Sequence, residues 1–496
     1  MSEYILSVKN VKKNFGGVKA LDGVSLDIKR GEIHCLAGEN GSGKSTLIKI
    51  ISGVEPFDAG TIEFDGIKQK KLTPAISIAS GIQVIYQDFS IFPNLTVMEN
   101  LSINNELTCK GALVNWKRMQ ETAKKALSKI NFKVNLKERV EDLSVAEKQL
   151  VAISRALLNS AKLIIMDEPT TALTKKEVKK LFTIIKDLQA KGISILFVSH
   201  KMDEVFEISE RFTILRNGKN VITGNTADLN DKKFTFYMTG REFDDLKTNI
   251  NYSTSKVVLD VQKLQLNNIF KEISFQLHEG EILGITGLLG SGRTELAETI
   301  FGLRTADGGR IFMDGKSLKI RCVEDAIEHK IGYVPEDRLS EGLFLSQSIS
   351  SNISVCRLKT LSSRAGFYNK NKVNQEVENW IRNLSIATNN ALLPVQSLSG
   401  GNQQKVLLAR WLANNLRVLI LNGPTVGVDI GAKYDIHERI RNFAKGGLSL
   451  LVISDDIPEL FSLCNRIIVM NKGRFTMEVV PAKISEKKLE EISMSE

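Results

Sequence analysis

A glycine-rich loop near the N-terminus has the residue types and spacing that bind phosphate. The segment GENGSGKST fits the pattern G-x-x-x-x-G-K-[S/T] and lies between a strand-like and a helix-like run. Its glycines let backbone N–H groups close on phosphate oxygens, and the start of the following helix adds a favourable dipole. Lys44 is expected to reach the terminal phosphates of a nucleotide, and Ser45 offers a hydroxyl to Mg²⁺. The candidate phosphate-binding residues are Gly38, Asn40, Gly41, Gly43, Lys44, Ser45 and Thr46.

Two adjacent carboxylates end another apolar run and could complete the chemistry of such a site. The segment LIIMDEPTTALT places Asp167 and Glu168 directly after a strand-like stretch. Two neighbouring carboxylates are costly there without a cation, so Asp167 is expected to hold Mg²⁺ through water. Glu168 is expected to orient and polarise the attacking water as the general base.

Three further side chains are candidates because of their place in the chain order. His200 ends the strand-like run ILFVSH, which favours a contact with the γ-phosphate over a purely structural histidine. Gln87 is a candidate for contact with the metal and the attacking water, and its support comes from the order of the motifs alone. Phe15 precedes the loop at a distance that suits stacking on adenine, although a core phenylalanine fits nearly as well.

The elements that carry these motifs predict an α/β fold with a largely parallel sheet. EIHCLAG and LIIMDE have the pattern of strands, and KSTLIKIISG has the pattern of a helix. The amphipathic stretch KKEVKKLFTIIKDLQAKG precedes a third strand-like run, ISILFVSH. Alternating strands and helices favour parallel strands joined by helical crossovers. The candidate residues should then lie at one edge of the sheet, where the strands end.

The second half of the chain repeats the first, which predicts two homologous domains. RGEIHCLAGENGSGKSTLIKIISGV returns as EGEILGITGLLGSGRTELAETIFGL. The domains are expected to span 1–245 and 246–496, with the polar stretch 244–256 as the linker. The landmarks keep their order, with Lys44 opposite Arg293, Gln87 opposite Glu336, Ser144 opposite Ser399 and Asp167 opposite Asn422.

Composition disfavours several other classes of protein. The 496 residues exceed one ordinary core, and near-average apolar and charged fractions disfavour a disordered or fibrous chain. The net charge of +10 permits contact with nucleic acid without demanding it, and no nucleic-acid partner is predicted. The five cysteines form no CxxC pair, which disfavours a zinc ribbon. Neither a signal peptide nor a membrane-spanning window is recognised.

The order of the motifs resembles that of the ATP-binding subunit of an ABC transporter. A phosphate loop, a glutamine, LSVAEKQ, MDEPT and SH follow one another, and the resemblance covers essentially the whole chain twice. More narrowly, GRTEL, EDR and LSGGNQQK in the second half resemble the fused double ATPases of bacterial monosaccharide importers. Within that group, SVAEKQ and GRTELAETIFGLR also resemble autoinducer-2 importer ATPases.

The resemblance implies a fold and a set of roles. Each half would contain a mostly parallel sheet core, an α-helical subdomain and a small antiparallel β subdomain. The halves would pair head to tail, with ATP and Mg²⁺ between the phosphate loop of one half and the signature turn of the other. Binding and hydrolysis of ATP would then drive a permease between inward and outward states. The complete site would use Lys44, Ser45, Gln87, Asp167, Glu168 and His200 with Ser399, Gly400 and Gly401.

The same resemblance implies that the second site is degenerate. Arg293 replaces the loop lysine, and a guanidinium group is not interchangeable with a compact ammonium group. Asn422 replaces the metal-binding aspartate, Gly423 replaces the general base, and Asp455 replaces the histidine. This site would combine these residues with Thr294, Glu336, Ser144 and Ala146.

One hydrolysing site, and one that at most binds nucleotide, are therefore predicted. In the importer group the arginine and the missing histidine are usual, but DEPT usually stands where this chain has NGPT. A drifting second half in a weak transporter is the alternative, and the intact Gly427 and Asp429 favour a working asymmetric pump without excluding it.

The resemblance also implies partners and a location. An importer ATPase would need an integral membrane permease, contacted through segments such as 92–101, and an extracytoplasmic solute-binding protein. It would associate with the cytoplasmic face of the cell membrane only through the permease. A soluble tandem ATPase acting on ribosomes would carry a long charged helical linker, which residues 240–256 are too short to provide. A DNA-repair ATPase of the same superfamily would carry zinc-binding cysteines.

Overall fold

The chain folds into two compact units, each built around two β-sheets. The computed structural model describes residues 2–69, 72–88, 90–107, 114–158, 160–171, 173–242, 253–288, 290–362 and 369–494. Unit 1 spans Met1–Phe243 and unit 2 spans Asp244–Glu496. Most of the predicted linker, residues 244–252, lies outside the described residues.

Unit 1 contains ten strands and eight α-helices in its described residues. The strands are β1 Tyr4–Phe15, β2 Val18–Lys29, β3 Ile33–Gly38, β4 Ala59–Phe64, β5 Ile67–Gln69, β6 Ile82–Ile85, β7 Leu163–Asp167, β8 Ser194–Val198, β9 Arg211–Arg216 and β10 Lys219–Asn225. The helices are α1 Lys44–Ile51, α2 Pro74–Ser80, α3 Val97–Leu107, α4 Trp116–Ser128, α5 Val145–Leu158, α6 Lys175–Ala190, α7 Met202–Ile208 and α8 Asp231–Thr239.

The six-stranded sheet of unit 1 positions the predicted site. Its order is β10-β9-β3-β8-β7-β6, with parallel pairing from β9 to β6 and an antiparallel edge at β10. Strands β3 and β8 are buried along their whole length, as continuous apolar runs covered on both faces should be. Strands β3, β8, β7 and β6 are consecutive neighbours, so the segments that follow them meet at one edge of the sheet.

Two smaller parts complete unit 1. The antiparallel sheet β2-β1-β4-β5 packs against α1 and the central strands through a shared core that includes Leu6, Ile48 and Phe64. Helices α3, α4 and α5 contact one another between β6 and β7 in the chain and have a separate apolar core around Val97 and Ala123. The predicted sheet core, helical subdomain and antiparallel β subdomain are therefore confirmed.

Unit 2 repeats this plan, as the internal repeat predicts. Its sheets have the orders β12-β11-β14-β15 and β16-β17-β18-β13-β19-β20. The strands are β11 Ser253–Leu266, β12 Phe270–Glu279, β13 Ile282–Thr286, β14 Gly308–Met313, β15 Lys316–Leu318, β16 Ile331–Val334, β17 Val418–Asn422, β18 Ser449–Ile453, β19 Arg466–Asn471 and β20 Arg474–Val479. The helices are α9 Arg293–Phe301, α10 Val323–Glu328, α11 Ile349–Ser354, α12 Leu358–Leu361, α13 Lys370–Asn383, α14 Gly400–Leu412, α15 Ile430–Lys445, α16 Ile457–Leu463 and α17 Glu486–Met494.

Among the described residues, no helix has the length and apolar content needed to cross a bilayer.

Candidate nucleotide site

The phosphate loop of unit 1 joins the end of β3 to the start of α1. Gly43 precedes the helix with a φ of 105°, and a Cβ at this position would lie 2.8 Å from the carbonyl oxygen of Ala20. Only glycine accepts both this backbone conformation and this close approach. Lys44 is buried, and its Nζ donates to the carbonyl oxygens of Gly38 at 2.7 Å and Glu39 at 3.0 Å. The ammonium group is thus held inside the loop, where it can meet a phosphate.

Several other predicted loop residues are accessible to solvent. Asn40, Gly41 and Ser45 are exposed, and Thr46 is half-buried. Ser45 is the second residue of α1, so its hydroxyl lies in the first turn, at the positive end of the helix dipole. These positions suit groups that contact a ligand entering from solvent.

Neighbouring strands β7 and β8 bring the predicted general base and the histidine together. Glu168 directly follows β7 with a φ of 47°, a conformation that non-glycine residues rarely adopt. Its backbone N–H donates to the carbonyl oxygen of Val198, at the end of β8, over 3.0 Å. Its Oε1 lies 3.0 Å from Nδ1 of His200, which stands two residues beyond β8. Backbone strain held by its surroundings is typical of functional positions.

The charges of Asp167, Lys44 and Glu168 influence one another's pKa values. Burial raises the pKa of Asp167, and the charge of Glu168 raises it further. Burial lowers the pKa of Lys44, and the charges of Glu168 and Asp167 act in the opposite direction. Burial would raise the pKa of Glu168, but the hydrogen bond and charge of His200 hold that pKa below its ordinary value. Two partly buried carboxylates therefore share one buried ammonium group, which leaves the site able to accept a cation.

Gln87 and Phe15 lie at the margins of the predicted site. Gln87 is exposed and lies two residues beyond β6, the strand that pairs with β7. Phe15 ends β1 with 44% of its surface exposed, and Nζ of Lys13 lies 4.9 Å from its ring centroid. Phe15 is therefore not a core phenylalanine. Stacking on adenine, and metal contact by Gln87, stay predictions.

The two signature turns present different chemistry at the starts of α5 and α14. Oγ of Ser144 donates to the Glu147 carboxylate at 2.7 Å, and the backbone N–H of Ser144 donates to the same oxygen at 2.9 Å. This capping box uses the serine proton and places a carboxylate at the helix start. Oγ of Ser399 instead accepts a hydrogen bond from Nδ2 of Asn402 at 2.9 Å, so its own proton can serve another acceptor. The two turns therefore differ in local charge and in the bonding of the serine hydroxyl.

Close packing explains the two glycines of the second turn. A Cβ on Gly400 would lie 2.8 Å from Nη2 of Arg338, and a Cβ on Gly401 would lie 2.4 Å from Cβ of Ala432. Arg338 also donates to the carbonyl oxygens of Val426 at 2.6 Å and of the following glycine at 3.1 Å. The turn and the 425–429 loop are therefore held as one packed body within unit 2.

The phosphate loop of unit 2 has different side chains at the positions of Lys44, Asp167 and His200. Nη1 of Arg293, which is buried, donates to the carbonyl oxygen of Gly287 at 2.7 Å. Nη2 of Arg293 lies 3.8 Å from Oδ2 of Asp455, so the guanidinium has an acidic partner at the histidine position. Nδ2 of Asn422 lies 3.4 Å from Oγ1 of Thr294, which brings an amide to the hydroxyl that would otherwise serve a metal.

In unit 2, the position that corresponds to Glu168 also differs in the space available for a side chain. Gly423 keeps the left-handed backbone, with a φ of 60° against 47° for Glu168. A Cβ on Gly423 would lie 2.8 Å from Cγ2 of Val426 and 3.1 Å from Cγ of Glu336. Neighbouring side chains thus occupy the space that a glutamate side chain would need.

Sequence reasoning missed a buried carboxylate behind Glu168 and His200. Glu204 is 6% exposed and accepts hydrogen bonds from Oγ1 of Thr170 and from Oγ of Ser199, the latter at 2.6 Å. In unit 2, Glu459 has the same two kinds of partner, Thr425 and Ser454. The recurrence of a threonine, a serine and a glutamate at equivalent places in both halves was the available signal.

Together, the fold and this site define an ATP-binding cassette ATPase. The family model described as ABC transporter matches residues 21–171 and 270–426, one stretch in each unit. The chain belongs to this family and is an ATP-binding, ATP-hydrolysing transport protein.

Curated relatives match over nearly their whole length. The chain is 39% identical over 482 residues to the ribose import ATP-binding protein RbsA of Oceanobacillus iheyensis, covering 97% of each chain. It is 39% identical over 497 residues to a putative ribose/galactose/methyl galactoside import ATP-binding protein of Geobacillus kaustophilus, covering 99% of this chain and 98% of that one. A solved nucleotide-free ATP-binding cassette from an ABC transporter is 31% identical, with a TM-score of 0.41, over 45% of this chain and 91% of that chain.

Proposed function

We propose that unit 1 hydrolyses ATP with Glu168 as general base, and that this hydrolysis powers import of a monosaccharide or related sugar-like solute. The observation that carries the proposal is the 3.0 Å contact between Glu168 and His200 on adjacent strand ends. In unit 2 the same two positions hold Gly423 and Asp455. A general base within reach of an attacking water needs such a positioned carboxylate, and only unit 1 retains it.

The donor set of unit 1 fits Mg²⁺. Magnesium prefers oxygen ligands and usually binds through one or two protein groups plus water and substrate phosphates. Ser45 and Asp167 offer a hydroxyl and a carboxylate of this kind, and Gln87 is a third candidate. The raised pKa of Asp167, caused by burial and by Glu168, is what a site short of positive charge produces. The ion would neutralise charge on the phosphates, while Glu168 orients the water.

The asymmetry extends to the signature turns, and we include their roles in the proposal. In the turn at Ser399, Gly400 and Gly401, the serine hydroxyl can still donate a hydrogen bond. The hydroxyl of Ser144 instead donates its hydrogen bond to Glu147. The first turn therefore disfavours phosphate and the second favours it. On this basis the residues of unit 2 at the second phosphate loop, including Arg293 and Thr294, bind nucleotide at most structurally.

The names of the relatives support the solute class and the partners. Both named relatives are import ATP-binding proteins, one for ribose and one for ribose, galactose or methyl galactoside. An import subunit of this kind would act with an integral membrane permease and an extracytoplasmic solute-binding protein. We place the protein at the cytoplasmic face of the membrane, held there by the permease through segments such as 92–101.

The decisive experiment compares ATP hydrolysis by the reconstituted transporter carrying the parent chain or Glu168→Gln. The substitution keeps size and hydrogen bonding but removes the base, so we expect turnover to fall by about 100-fold or more. The matched control is Asp455→Asn in unit 2, which should retain most of the activity. Substantial activity in Glu168→Gln would mean that hydrolysis does not depend on this carboxylate. Uptake of labelled ribose and galactose by the same vesicles tests the solute class.

A further inference from the structure

We propose that Glu204 is a positioning residue that fixes the distance between the general base and the histidine of unit 1. This inference rests on the proposed role of Glu168. Glu204 lies on α7, one turn beyond His200, with its carboxylate turned inward and its side chain 8% exposed. A carboxylate this deeply buried costs free energy unless its oxygens are paired.

The carboxylate joins the ends of the two strands that carry the catalytic pair. Oγ1 of Thr170, two residues after Glu168, donates to Oε1 of Glu204. Oγ of Ser199, the residue before His200, donates to Oε2 of the same carboxylate at 2.6 Å. One rigid, planar group therefore spans both loops, with one oxygen for each loop.

Further bonds connect Ser199 and Glu204 to Lys201. We call the linked residues Thr170, Ser199 and Glu204 the junction. The backbone N–H of Lys201 donates to Oγ of Ser199 at 3.0 Å, which fixes the turn that contains His200. Nζ of Lys201 lies 3.2 Å from Oε1 of Glu204 and supplies a positive charge. Thr170 and Ser199 are each 2% exposed, so water cannot replace these bonds without opening the site.

The strained backbone at Glu168 shows why such a junction is needed. Its φ of 47° is unfavourable for a glutamate and persists only if neighbouring contacts hold the loop. The bond from its N–H to Val198 holds the strand end, and the Thr170–Glu204 bond holds the residues just beyond. Misplacement by about 1 Å at a reacting group can cost about 100-fold in rate.

Unit 2 supplies an internal control for a purely structural role. Glu459 accepts hydrogen bonds from Thr425 and from Ser454, the latter at 2.7 Å, and also contacts Nε2 of the buried His437 at 2.9 Å. The same junction thus exists where the base and the histidine are absent. Loss of Glu459 should disturb packing in unit 2 without disturbing a catalytic pair.

The test measures ATP turnover and ATP affinity for the full chain reconstituted with its permease. We expect Glu204→Ala to lower kcat about 10- to 100-fold with ATP affinity within about 3-fold of the parent. Glu204→Gln, which can still bond both loops, should recover part of the rate. Glu459→Ala should match the loss in Tm but keep kcat within about 3-fold of the parent.

The outcomes separate this proposal from the proposed function. Equal losses of kcat in Glu204→Ala and Glu459→Ala would overturn the positioning role. If Glu204→Ala does not fold, Ser199→Ala, which removes one of the two bonds to the carboxylate, takes its place, and parent-like kcat in that variant would overturn the positioning role. If Glu168→Gln keeps its activity, Glu168 is not the general base, and the proposed function is contradicted before the positioning role is tested. If Glu168→Gln is inactive and Glu204→Ala is normal, only the positioning role fails.

Discussion

Nδ1 of His200 lies 3.0 Å from Oε1 of Glu168, and both side chains are largely shielded from solvent. The contact joins the ends of two adjacent parallel strands, so its geometry is set by the sheet. It gives the carboxylate a fixed direction, and it holds the pKa of Glu168 below its ordinary value against the effect of burial. The histidine therefore acts on the base as well as being a candidate for contact with phosphate.

The first prediction concerns the pH dependence of ATP hydrolysis in His200→Ala. The base works only when ionised, and its ionised fraction is lost as the pH falls through its pKa in the folded protein. Without the His200 hydrogen bond that pKa rises, so the acid limb of the kcat profile should move to higher pH. Turnover measured between about pH 5 and 8 checks this, with Asp455→Ala as the matched control. An unmoved acid limb would show that His200 does not tune Glu168.

The second prediction compares the two phosphate loops. Lys44→Ala should weaken ATP binding by about 10- to 100-fold, since a charge-assisted hydrogen bond contributes about 1.5–3 kcal/mol. Arg293→Ala should have a smaller effect, because this guanidinium faces the carboxyl group of Asp455, which stands where unit 1 has a histidine. Equilibrium binding of a fluorescent ATP analogue to the full chain measures both. Equal losses in the two variants would contradict the asymmetry of the loops.

Much of the fold and half of the site could be predicted because they depend on local patterns. Continuous apolar runs predict buried parallel strands, and the loop around Lys44 is recognisable from its glycines alone. The repeat then predicts the second unit without further information. The contact of Glu168 with His200 follows from parallel pairing, since both follow neighbouring strands of one sheet.

The remaining features could not be predicted because they join distant segments through ordinary residues. Glu204 has no motif of its own, and its role depends on the turn of α7 that directs it inward. The capping box of Ser144 and Glu147 is visible as a pattern, but its meaning depends on comparison with the bonding of Ser399. The crowding of Gly423 by Glu336 depends on side-chain packing in three dimensions.

The third prediction is that Gly423→Glu does not restore a second hydrolysing site. In a chain that also carries Glu168→Gln, turnover should stay at the background level. A glutamate could adopt the backbone of Gly423, but Val426 and Glu336 occupy its side-chain space, and Asn422 still lacks a carboxylate for the metal. ATPase assays of the double variant measure this, with Tm as a control for folding. Recovery of activity would mean that the missing base is the single defect of unit 2.

The fourth prediction concerns adenine recognition by Phe15. Phe15→Ala should weaken ATP binding by about 5- to 100-fold, because stacking on a base contributes about 1–3 kcal/mol. Phe15→Trp should retain most of the affinity, and triphosphate alone should bind the parent and Phe15→Ala equally. Phe236→Ala removes a ring of similar exposure on α8 and serves as the control. Equal affinity for ATP in the parent and Phe15→Ala would place the base elsewhere.

The last prediction concerns acid stability of unit 2 through Glu459. Burial would raise the pKa of Glu459, but the hydrogen bond and charge of His437, the charge of Lys433 and the bond from Thr425 lower it to about 2. A carboxyl group with a lowered pKa in the folded state stabilises the fold above its unfolded pKa of about 4.5, and this stabilisation is lost as the pH falls toward 2.

Glu459→Gln lacks this contribution, so its unfolding free energy should fall less steeply than that of the parent on acidification. Urea unfolding of the full chain between about pH 6 and 3 checks this, because the range extends below the unfolded pKa. Glu478→Gln is the control and should keep the slope of the parent, because the side chain of Glu478 is about half exposed in its ion pair with Arg466. Parallel slopes for the parent and Glu459→Gln would show that the buried carboxylate does not control acid unfolding.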